Sequence, residues 1–390
     1  MIKAYKYRIH PTKTQMEFLN KSFGCVRYIY NWALNLRIEY YNQNKTSLST
    51  YDIIKNLTVI KKDEDKLWLQ EPVNECLQQS IRNMDSAYTH FFKHKKGFPK
   101  FKSKNRSKAA CKFINGVGID FDNKRIKIPK CGLIKFVCDR RFEGKIGTLT
   151  ITRSTTGRYY ASFVVTTTEA EPSPSPVDPK TTVGVDVGIK NFAILSDGTI
   201  FENMKYLENN EKRLKVLQYR LSKKQKGSKR REEAKHKLAV QYERITNLRT
   251  NYIHQVTAQI IAKNQSIVIE DLNIAGMLKN HCLAKSISSV SWGEFFRQLT
   301  YKSKFKGCNL IKIGRFEPSS RMCSCGHINH ELTLSDRVWT CEVCGLTHDR
   351  DLLAANNIKL FGLKNTPVVD GDEDVEMPTV VGSMKRQYIL

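Results

Sequence analysis

Four cysteines near the C-terminus constrain what this chain can fold into more than any other feature. They are Cys323, Cys325, Cys341 and Cys344, and fifteen residues separate the first pair from the second. Four thiolates suit the tetrahedral coordination of Zn²⁺, and a bound ion orders a segment that has little core of its own. The alternative is a set of free thiols. We expect a structural zinc site, which would fix the loop that presents Asp351 in "THDRDLLAANNI".

The charge of the chain is strongly unbalanced. Its 390 residues include 65 Lys and Arg against 38 Asp and Glu, a formal net charge of +27 at pH 7. Such a field attracts polyanions, and contacts with phosphates release condensed counterions. The alternative explanation is that the charges only keep the protein soluble. A surface with equal numbers of positive and negative charges would do that as well, so solubility does not require the excess. The excess of positive charge therefore predicts a nucleic-acid partner.

The composition indicates a folded protein of two or three domains, because 40 % of the residues are hydrophobic. No apolar run reaches the roughly 20 residues of a membrane span. The N-terminus, "MIKAYKYRIHPTK", lacks the long apolar stretch of a secretory signal. We therefore expect a cytoplasmic protein without a membrane partner. Its eleven cysteines are then thiols or metal ligands rather than disulfides.

The N-terminal part has the pattern of one strand followed by helices. Residues 2–9 have the pattern of a strand. Thr12 followed by Gln15 is a capping box, which marks the start of a helix, and Gly24 could divide the helical run that follows into two. Residues 72–92 form the clearest helix, because large apolar residues recur at spacings of three and four.

Two stretches are rich in lysine and arginine. Residues 91–112 contain nine of them and no acid, with interleaved aromatic residues and a Phe98–Pro99 pair that we expect to be buried. Residues 211–238 contain twelve against three Glu, within a predicted helical hairpin at 206–263. Basic side chains bind phosphates and aromatic rings stack on bases; the alternative is a solvated charged face. The side chains that we expect to contact nucleic acid are Lys95, Lys96, Lys100, Lys102, Lys223, Lys224, Arg230 and Arg231.

The rest of the chain favours a β-rich domain followed by an α/β domain. Residues 111–168 have the pattern of short strands separated by turns, which favours a small β-barrel. The Pro- and Ser-rich stretch at 169–180 is a predicted linker. After it, residues 181–203 favour three short antiparallel strands, and residues 265–273 a buried strand.

Three carboxylates stand at the ends of predicted elements. Asp186 lies in the first strand after the linker, Glu270 ends the strand "IVIE", and Asp351 begins a helix, where the dipole favours an anion. Taken singly, each acid has an equally good explanation as a helix cap or as the partner in an ion pair. In this order, however, they match the layout of an RNase H-like core. Such carboxylates are suited to holding two Mg²⁺ ions, with Mn²⁺ as the alternative, for phosphodiester hydrolysis.

The chain resembles the TnpB proteins encoded by insertion sequences, RNA-guided nucleases related to the type V CRISPR effectors. The resemblance extends over residues 1–363. The segments that carry it are "GCVRYIYNWAL", "KGFPKFKSK", "GVDVGIKNFAILSDG", "IVIEDLNIAGM", "SWGEFFRQLTYKSKFKG", "FEPSSRMCS" and "CGLTHDRD".

This resemblance implies a RuvC-type nuclease with Asp186, Glu270 and Asp351 as its Mg²⁺ ligands. It also implies a guide RNA from the transposon end and cleavage of double-stranded DNA beside a short transposon-adjacent motif, read by Asn74 and Gln78. The protein would be a monomer in a prokaryotic ribonucleoprotein, associated with the nucleoid when on its target.

The implied fold is α/β and multidomain, with a wedge-type β-barrel that is interrupted by a helical recognition insert. An RNase H-like RuvC domain follows, with an inserted helical hairpin and a zinc ribbon. The expected bounds are 1–10 and 111–168 for the barrel, 11–110 for the recognition domain, 169–181 for the linker, 182–314 and 346–363 for the RuvC-like domain, 315–345 for the zinc ribbon, and 364–390 for a disordered acidic tail.

The zinc ribbon departs from the family pattern, which has two CxxC pairs. Here the first pair is Cys323-Ser-Cys325, one residue short, so we expect a distorted knuckle. His327 or His330 could replace one of the thiolates as a zinc ligand.

Two positions near the last carboxylate leave alternatives open. Asp349 competes with Asp351 as the third acid, but the family's final acid precedes an Ala-Ala pair by three residues, as Asp351 does. Leu353 stands where the family commonly has Asn, and the missing amide could weaken the metal site. The alternatives to the nuclease are therefore an RNA-guided repressor that has lost cleavage and a transposase that joins DNA strands.

Overall fold

The computed structural model describes residues 1–333 and 335–364. The chain divides into two compact units, residues 1–170 and a second unit that begins at Glu171. Within the described ranges, no helix combines the length and the apolar character that a membrane crossing requires. The predicted acidic tail at 364–390 lies outside the described residues, apart from Lys364 at the end of the last helix.

The first unit contains a seven-stranded antiparallel sheet in the order β2-β6-β7-β1-β5-β4-β3. Strand β1 pairs with β7 along most of its length, so the N-terminal strand lies in the middle of the sheet. The strands are β1 (Ile2–His10), β2 (Ala109–Phe113), β3 (Gly118–Asp120), β4 (Arg125–Ile128), β5 (Gly132–Phe136), β6 (Lys145–Arg153) and β7 (Tyr159–Thr166).

The predicted closed barrel is wrong. Among the described residues no ladder joins the two edge strands β2 and β3, so the sheet is open. The reason is the length of β3, which has three residues and pairs only with β4. Closure of a barrel needs continuous pairing around the whole circumference, with a consistent stagger between strands.

Three helices and one 3₁₀ segment are inserted between β1 and β2. Helix α1 begins with the predicted capping box: the Thr12 hydroxyl accepts from the Gln15 backbone N–H, and the Gln15 side chain accepts from that of Thr12. The prediction that Gly24 divides this helix is wrong. A helical glycine costs about 1 kcal/mol relative to alanine, and the buried face of α1 outweighs that cost. The elements are α1 (Lys13–Asn44), α2 (Thr50–Ile60), the 3₁₀ segment (Glu64–Gln70) and α3 (Asn74–His94).

The second unit is built on a five-stranded mixed sheet in the order β10-β9-β8-β11-β12. Strands β8, β11 and β12 are parallel to one another, whereas β9 and β10 are antiparallel to β8 and β9 respectively. The strands are β8 (Thr182–Val187), β9 (Asn191–Leu195), β10 (Ile200–Glu202), β11 (Ser266–Glu270) and β12 (Asn309–Ile313), with a separate small sheet of β13 (Val338–Thr340) and β14 (Thr347–Asp349).

Helices cover both faces of this sheet. The predicted hairpin consists of α5 and α6, and α6 packs against α9. Helix α10 packs on β8 and β11. The helices are α4 (Tyr206–Asn209), α5 (Glu211–Ser222), α6 (Lys229–Lys263), α7 (Ile274–Met277), α8 (Ala284–Val290), α9 (Trp292–Lys306) and α10 (Arg350–Lys364).

Strand β11 is buried on both faces. Ile267 and Ile269 lie in the apolar cluster that includes α6 and α9, and Val268 lies in the opposite cluster with Ile358 and Phe361 of α10. Because successive side chains of a strand point to opposite faces, such a strand is apolar throughout. Its last residue, Glu270, is the first that is not buried.

Two glycines allow α10 to approach the sheet closely. A Cβ added at Gly184 in β8 would overlap the Ala355 carbonyl and lie 2.7 Å from the Lys359 backbone N. A Cβ added at Gly362 would overlap the Val268 side chain. Close backbone approach of this kind requires glycine. Helix α10 is therefore held directly against β8 and β11, which sets the position of its first turn.

Candidate functional site

The three predicted acids come together at one edge of the five-stranded sheet. Val185 of β8 is paired with Ile269 of β11 in a parallel ladder, so Asp186 and Glu270 lie side by side at the carboxyl ends of their strands. Asp351 lies in the first turn of α10, the helix that packs on β8.

The acids share one electrostatic environment. Burial and, after it, the nearby carboxylates of Glu270 and Asp351 raise the pKa of Asp186 to about 8. The guanidinium of Arg350 and the backbone N–H of Val187 act against this rise. A buried carboxyl with two acidic neighbours is unstable as an anion unless a cation joins it.

The two outer acids each have a partner. The Ser319 hydroxyl donates to Glu270 Oε1 at 2.6 Å. One nitrogen of Arg337, Nη1, contacts both carboxylate oxygens of Asp351, at 2.9 and 3.0 Å. Neither partner was expected from the sequence.

Asp349 has a different role from Asp351. Its Oδ1 accepts from the backbone N–H groups of Asp351 and Leu352, both at 3.0 Å, so it satisfies otherwise unpaired donors at the start of α10. Of the two competing acids, Asp351 is the one that acts on the pKa of Asp186.

The four cysteines form a compact cluster. The sulfur of Cys323 lies 3.5 Å from that of Cys344, and the sulfur of Cys325 lies 3.7 Å from that of Cys341. All four sulfurs lie within 4.8 Å of one another. Zinc–sulfur bonds of about 2.3 Å place tetrahedral ligands about 3.8 Å apart. The cluster therefore fits a zinc ion. Over residues 1–333 and 335–364 it is the only group of three or more His, Cys, Asp or Glu with ligand atoms this close together.

The short first knuckle is a tighter turn than the second. The Cys323 backbone N–H donates to the His327 carbonyl, four residues ahead, whereas that of Cys341 donates to the Leu346 carbonyl, five residues ahead. Gly326 follows the short pair with a φ of 89°, which a residue with a side chain rarely adopts. The missing residue is thus absorbed by the turn, and Cys325 still reaches the cluster.

The cluster has a histidine neighbour, but not one of the two expected. His327 and His330 are not part of the group of ligand atoms. His348 of β14 places Nε2 at 3.0 Å from the Cys323 sulfur. A ring N–H at this position can donate to a metal-bound thiolate and orient it.

Leu353, at the position where the family commonly has Asn, is buried in an apolar cluster with the zinc ribbon. Its neighbours there are Cys323, Leu332, Trp339 and Cys341. The leucine joins the first turn of α10 to the cysteine knuckles. This side chain therefore links the zinc site to the element that carries Asp351.

A buried hydrogen-bond chain makes a second link. Asn357 of α10 donates to the backbone carbonyls of Ser319 and Met322, at 2.7 and 2.6 Å. Met322 directly precedes the first cysteine, and Ser319 donates to Glu270. Asn357 is almost fully buried. We call these residues, Glu270, Ser319, Met322 and Asn357, the brace, because they join β11, α10 and the zinc ribbon.

The predicted nucleic-acid contacts divide into two groups. Lys102 packs its ammonium 3.6 Å from the centre of the Tyr30 ring, and burial lowers its pKa. Arg231 donates to the carbonyls of Leu221 and Lys224, which closes the turn of the α5–α6 hairpin. These two side chains serve the fold. The others are exposed to solvent: Lys95, Lys96, Lys100, Lys223, Lys224 and Arg230.

The two residues expected to read the adjacent motif lie one turn apart on α3. Asn74 is exposed, and its Oδ1 accepts from Lys61 Nζ at 3.0 Å. Gln78 is half-buried. Burial and the nearby Lys130 lower the pKa of Lys61, and the acidic Glu75 lies in the same first turn of α3 as Asn74.

Sequence reasoning missed several residues around the three acids. Ser319 offered a signal, because it lies in "FEPSSRMCS", a segment that carries the family resemblance. Asn357 offered another, as a polar residue on the buried face of a helix. Arg337 gave no signal, since it lies in an irregular segment before β13.

Three family-level matches cover most of the chain. Residues 163–281 match the OrfB_IS605 family of transposases, residues 1–46 match the helix-turn-helix domain of the same group, and residues 292–358 match the Cas12f1-like TNB domain. The last range contains the four cysteines and Asp351.

Relatives that align with most of this chain agree with these matches. A Streptomyces pristinaespiralis protein named as an RNA-guided DNA endonuclease is 34 % identical, over 95 % of this chain and 91 % of its own length. InsQ of Escherichia coli K12, with the same description, is 31 % identical over 93 % and 92 %. A TnpB-like protein of Acanthamoeba polyphaga mimivirus is 24 % identical over 93 % of this chain and 74 % of its own.

Among solved structures, the fold is similar to the protein in a Cas12f1–sgRNA–target DNA complex. The TM-score is 0.55 at 14 % identity, and the alignment covers 92 % of this chain and 98 % of that one. Likeness at this identity concerns the fold alone, whereas the full-length sequence matches establish kinship. The chain belongs to the TnpB family of RNA-guided DNA endonucleases.

Proposed function

We propose that this protein is an RNA-guided DNA endonuclease of the RuvC type, which cuts double-stranded DNA beside a short adjacent motif. The observation that carries the proposal is the buried carboxyl of Asp186. Its pKa is raised by burial, by Glu270 at the end of the neighbouring parallel strand, and by Asp351 in the first turn of α10. The sheet order and the position of α10 support an RNase H-like domain, interrupted by the zinc ribbon and preceded by the linker at 169–181.

The residues present fit divalent cations. Three carboxylates supply hard oxygen donors, which Mg²⁺ and Mn²⁺ prefer. Burial, together with repulsion from the two neighbouring carboxylates, favours the protonated form of Asp186, so cations would be bound with release of that proton. Among the described residues, the three carboxylates do not form a group with ligand atoms as close together as those of the cysteines. Rearrangement of the outer acids would accompany binding.

When bound, two Mg²⁺ ions would activate water and stabilise the charge that develops on the scissile phosphate. The side chains of this protein hold the donors in place. Ser319 occupies Oε1 of Glu270 and leaves Oε2 for other contacts. Arg337 neutralises Asp351, and the Asp349 cap fixes the first turn of α10.

Nucleic acid would be held by the exposed basic side chains of α3, of the segment after it and of the α5–α6 hairpin. Base pairing with the guide RNA would then select the target, while side chains read only the adjacent motif. Asn74 and Gln78 at the start of α3 are our candidates for that reading. We propose a monomer with one guide RNA.

The test of the function is cleavage by the purified ribonucleoprotein. The RNA that copurifies with the full chain is sequenced, and a plasmid library carrying its complement beside randomised bases is incubated with Mg²⁺. We expect linear plasmid, with one short motif enriched among the cut molecules. Guide-dependent binding without cutting would instead favour the repressor, and joined DNA strands would favour the transposase.

The Ser319→Ala variant tests the brace. Without the hydroxyl, Glu270 loses the partner that orients it, and we expect about 10- to 100-fold slower cleavage. The Mg²⁺ concentration for half-maximal rate should also rise, whereas Ser319→Thr, which keeps a hydroxyl, should restore both. Ser320→Ala is the matched control next to it. A Ser319→Ala protein with an unchanged Mg²⁺ requirement would contradict a positioning role.

A further inference from the structure

The end of α3 and the segment after it carry a cluster of aromatic rings on the surface. Phe92 is 72 % exposed and Phe98 is 46 % exposed, contrary to the expectation of a buried Phe98–Pro99 pair; only Pro99 is buried. Tyr88 lies behind both, with ring centres 6.3 Å from Phe92 and 5.4 Å from Phe98. Phe91 lies 4.9 and 5.4 Å from the same two rings. The inner rings thus support the outer ones and leave them open to solvent.

The segment that carries Phe98 is anchored, although it has no regular secondary structure. The side chain of Asn31 in α1 pairs with the Lys102 backbone: Oδ1 accepts its N–H at 2.7 Å, and Nδ2 donates to its carbonyl at 2.9 Å. The Lys102 ammonium lies over the Tyr30 ring. The backbone between α3 and this anchor is therefore fixed at both ends. A site that is ordered beforehand loses less entropy on binding.

The sequence around the exposed rings is basic. Residues 91–112 contain nine Lys and Arg and no acid, and the side chains nearest to Phe92 and Phe98 in sequence are exposed: Lys93, His94, Lys95, Lys96 and Lys100. Exposed aromatic area favours a ligand with flat apolar faces, and the charge requires an anion. A nucleic-acid strand with unpaired bases has both properties, whereas a duplex hides the base faces and an acidic peptide has few of them.

We propose that Phe92 and Phe98, with the lysines around them, form a stacking site for unpaired bases of the bound RNA. The choice of RNA rests on the proposed function. A guide remains bound while DNA targets come and go, and a permanent ligand suits a site that is anchored by Asn31 and Tyr30. Tyr88 and Phe91 position the outer rings, and Lys95 and Lys96 contact phosphates.

The test compares Phe92→Leu with Phe92→Trp in the full chain, purified free of RNA at high salt. The probe is a fluorescent oligouridine of about 15 nucleotides. We expect Phe92→Leu to bind it about 5- to 20-fold more weakly, because leucine is apolar but cannot stack. Phe92→Trp should bind at least as tightly as the native protein. Since Phe92 is largely exposed, both variants should melt at the native temperature.

Salt dependence separates stacking from charge. Phe92→Leu should keep the native slope of log K against log salt, whereas Lys95→Gln should reduce that slope by about 0.7 for a single strand. The stacking site would be overturned if Phe92→Leu and Phe92→Trp bound oligouridine with equal affinity. It would also be overturned if Phe92→Leu lost as much affinity for an RNA duplex as for oligouridine. A loss confined to oligodeoxyuridine would overturn its assignment to RNA. Plasmid cleavage is measured in parallel. A protein that binds oligouridine through Phe92 but does not cut DNA would support this inference and contradict the nuclease proposal.

Discussion

The Asp186→Asn protein is expected to lose DNA cleavage by at least about 100-fold while its RNA remains bound. Changes to residues that merely support a metal ligand cost about 10- to 100-fold, and Asp186 is the central candidate ligand itself. The substitution keeps the shape of the side chain and removes its ability to ionise, so the exposed basic side chains that we propose hold RNA are unaffected. Plasmid cleavage and copurified RNA are measured on the same preparation.

The same substitution should stabilise the protein when Mg²⁺ is absent. The pKa of Asp186 is raised from 3.8 to about 8 in the folded state. Below pH 4 the carboxyl is protonated in both the folded and the unfolded protein, so it costs nothing. As the pH rises from about 4 to about 8, the unfolded chain loses this proton while the folded protein retains it, and stability declines. Above pH 8 the carboxylate is ionised in both states, and the loss is complete.

Melting temperatures of both proteins, measured in Mg²⁺-free buffer from pH 5 to pH 9, check this expectation. The advantage of Asp186→Asn should grow up to about pH 8 and then level off. A chelator is avoided because it would also remove zinc. Asp271→Asn is the control, since Asp271 follows Glu270 but forms exposed ion pairs with Arg315 and Lys312 and should affect neither property much. An Asp186→Asn protein that is less stable at pH 8, or that loses its RNA, would mean that this acid is structural.

The Cys341→Ser protein is expected to lose its zinc and most of its folded yield. Cys341 is buried and lies 3.7 Å from the Cys325 sulfur, so the substitution removes one of four donors from the cluster. Binding of structural zinc contributes about 10–16 kcal/mol in small zinc domains, whereas whole domains are stable by only about 5–15 kcal/mol. The ribbon has only a small apolar cluster to replace that contribution.

Zinc content per chain, measured by atomic absorption, and the fraction of soluble protein test this. Cys282→Ser, at an exposed cysteine outside the cluster, is the control and should retain full zinc. Cleavage should also fail in whatever Cys341→Ser protein folds, because Leu353 and the brace connect the ribbon to the acids. A normal zinc content in Cys341→Ser would overturn the assignment of the four cysteines as ligands.

The local features of this fold could be predicted because they depend on neighbours in sequence. The capping box at Thr12, the apolar stripe of α3 and the strands that end near Asp186 and Glu270 all formed where the pattern indicated. Periodicity predicts an element because the same spacing places apolar side chains on one face. The prediction at Gly24 was wrong because it considered only local propensity. The free-energy cost of one helical glycine is small compared with the stabilisation from burying one face of the whole helix.

The sheet of the first unit shows where such reasoning ends. Alternating residues over 111–168 correctly indicated strands, but alternation says nothing about which strands form the edges. The openness of the sheet follows from the short β3, whose pairing depends on turns and on competition among all seven strands. Pairing of this kind is non-local, and no period in the sequence records it.

By itself, the sequence determined the family, the four clustered cysteines and the three candidate acids, because residue type and order along the chain are sufficient for each. Only the tertiary structure decided how these parts act together. Ser319 and Glu270 are 49 positions apart yet in contact, and Arg337 pairs with Asp351 across 14 positions. The Lys102 ammonium packs on the Tyr30 ring, and Phe98 is exposed. These outcomes depend on which side chains meet after folding, since a residue's charge or aromaticity is known in advance but its partner is not.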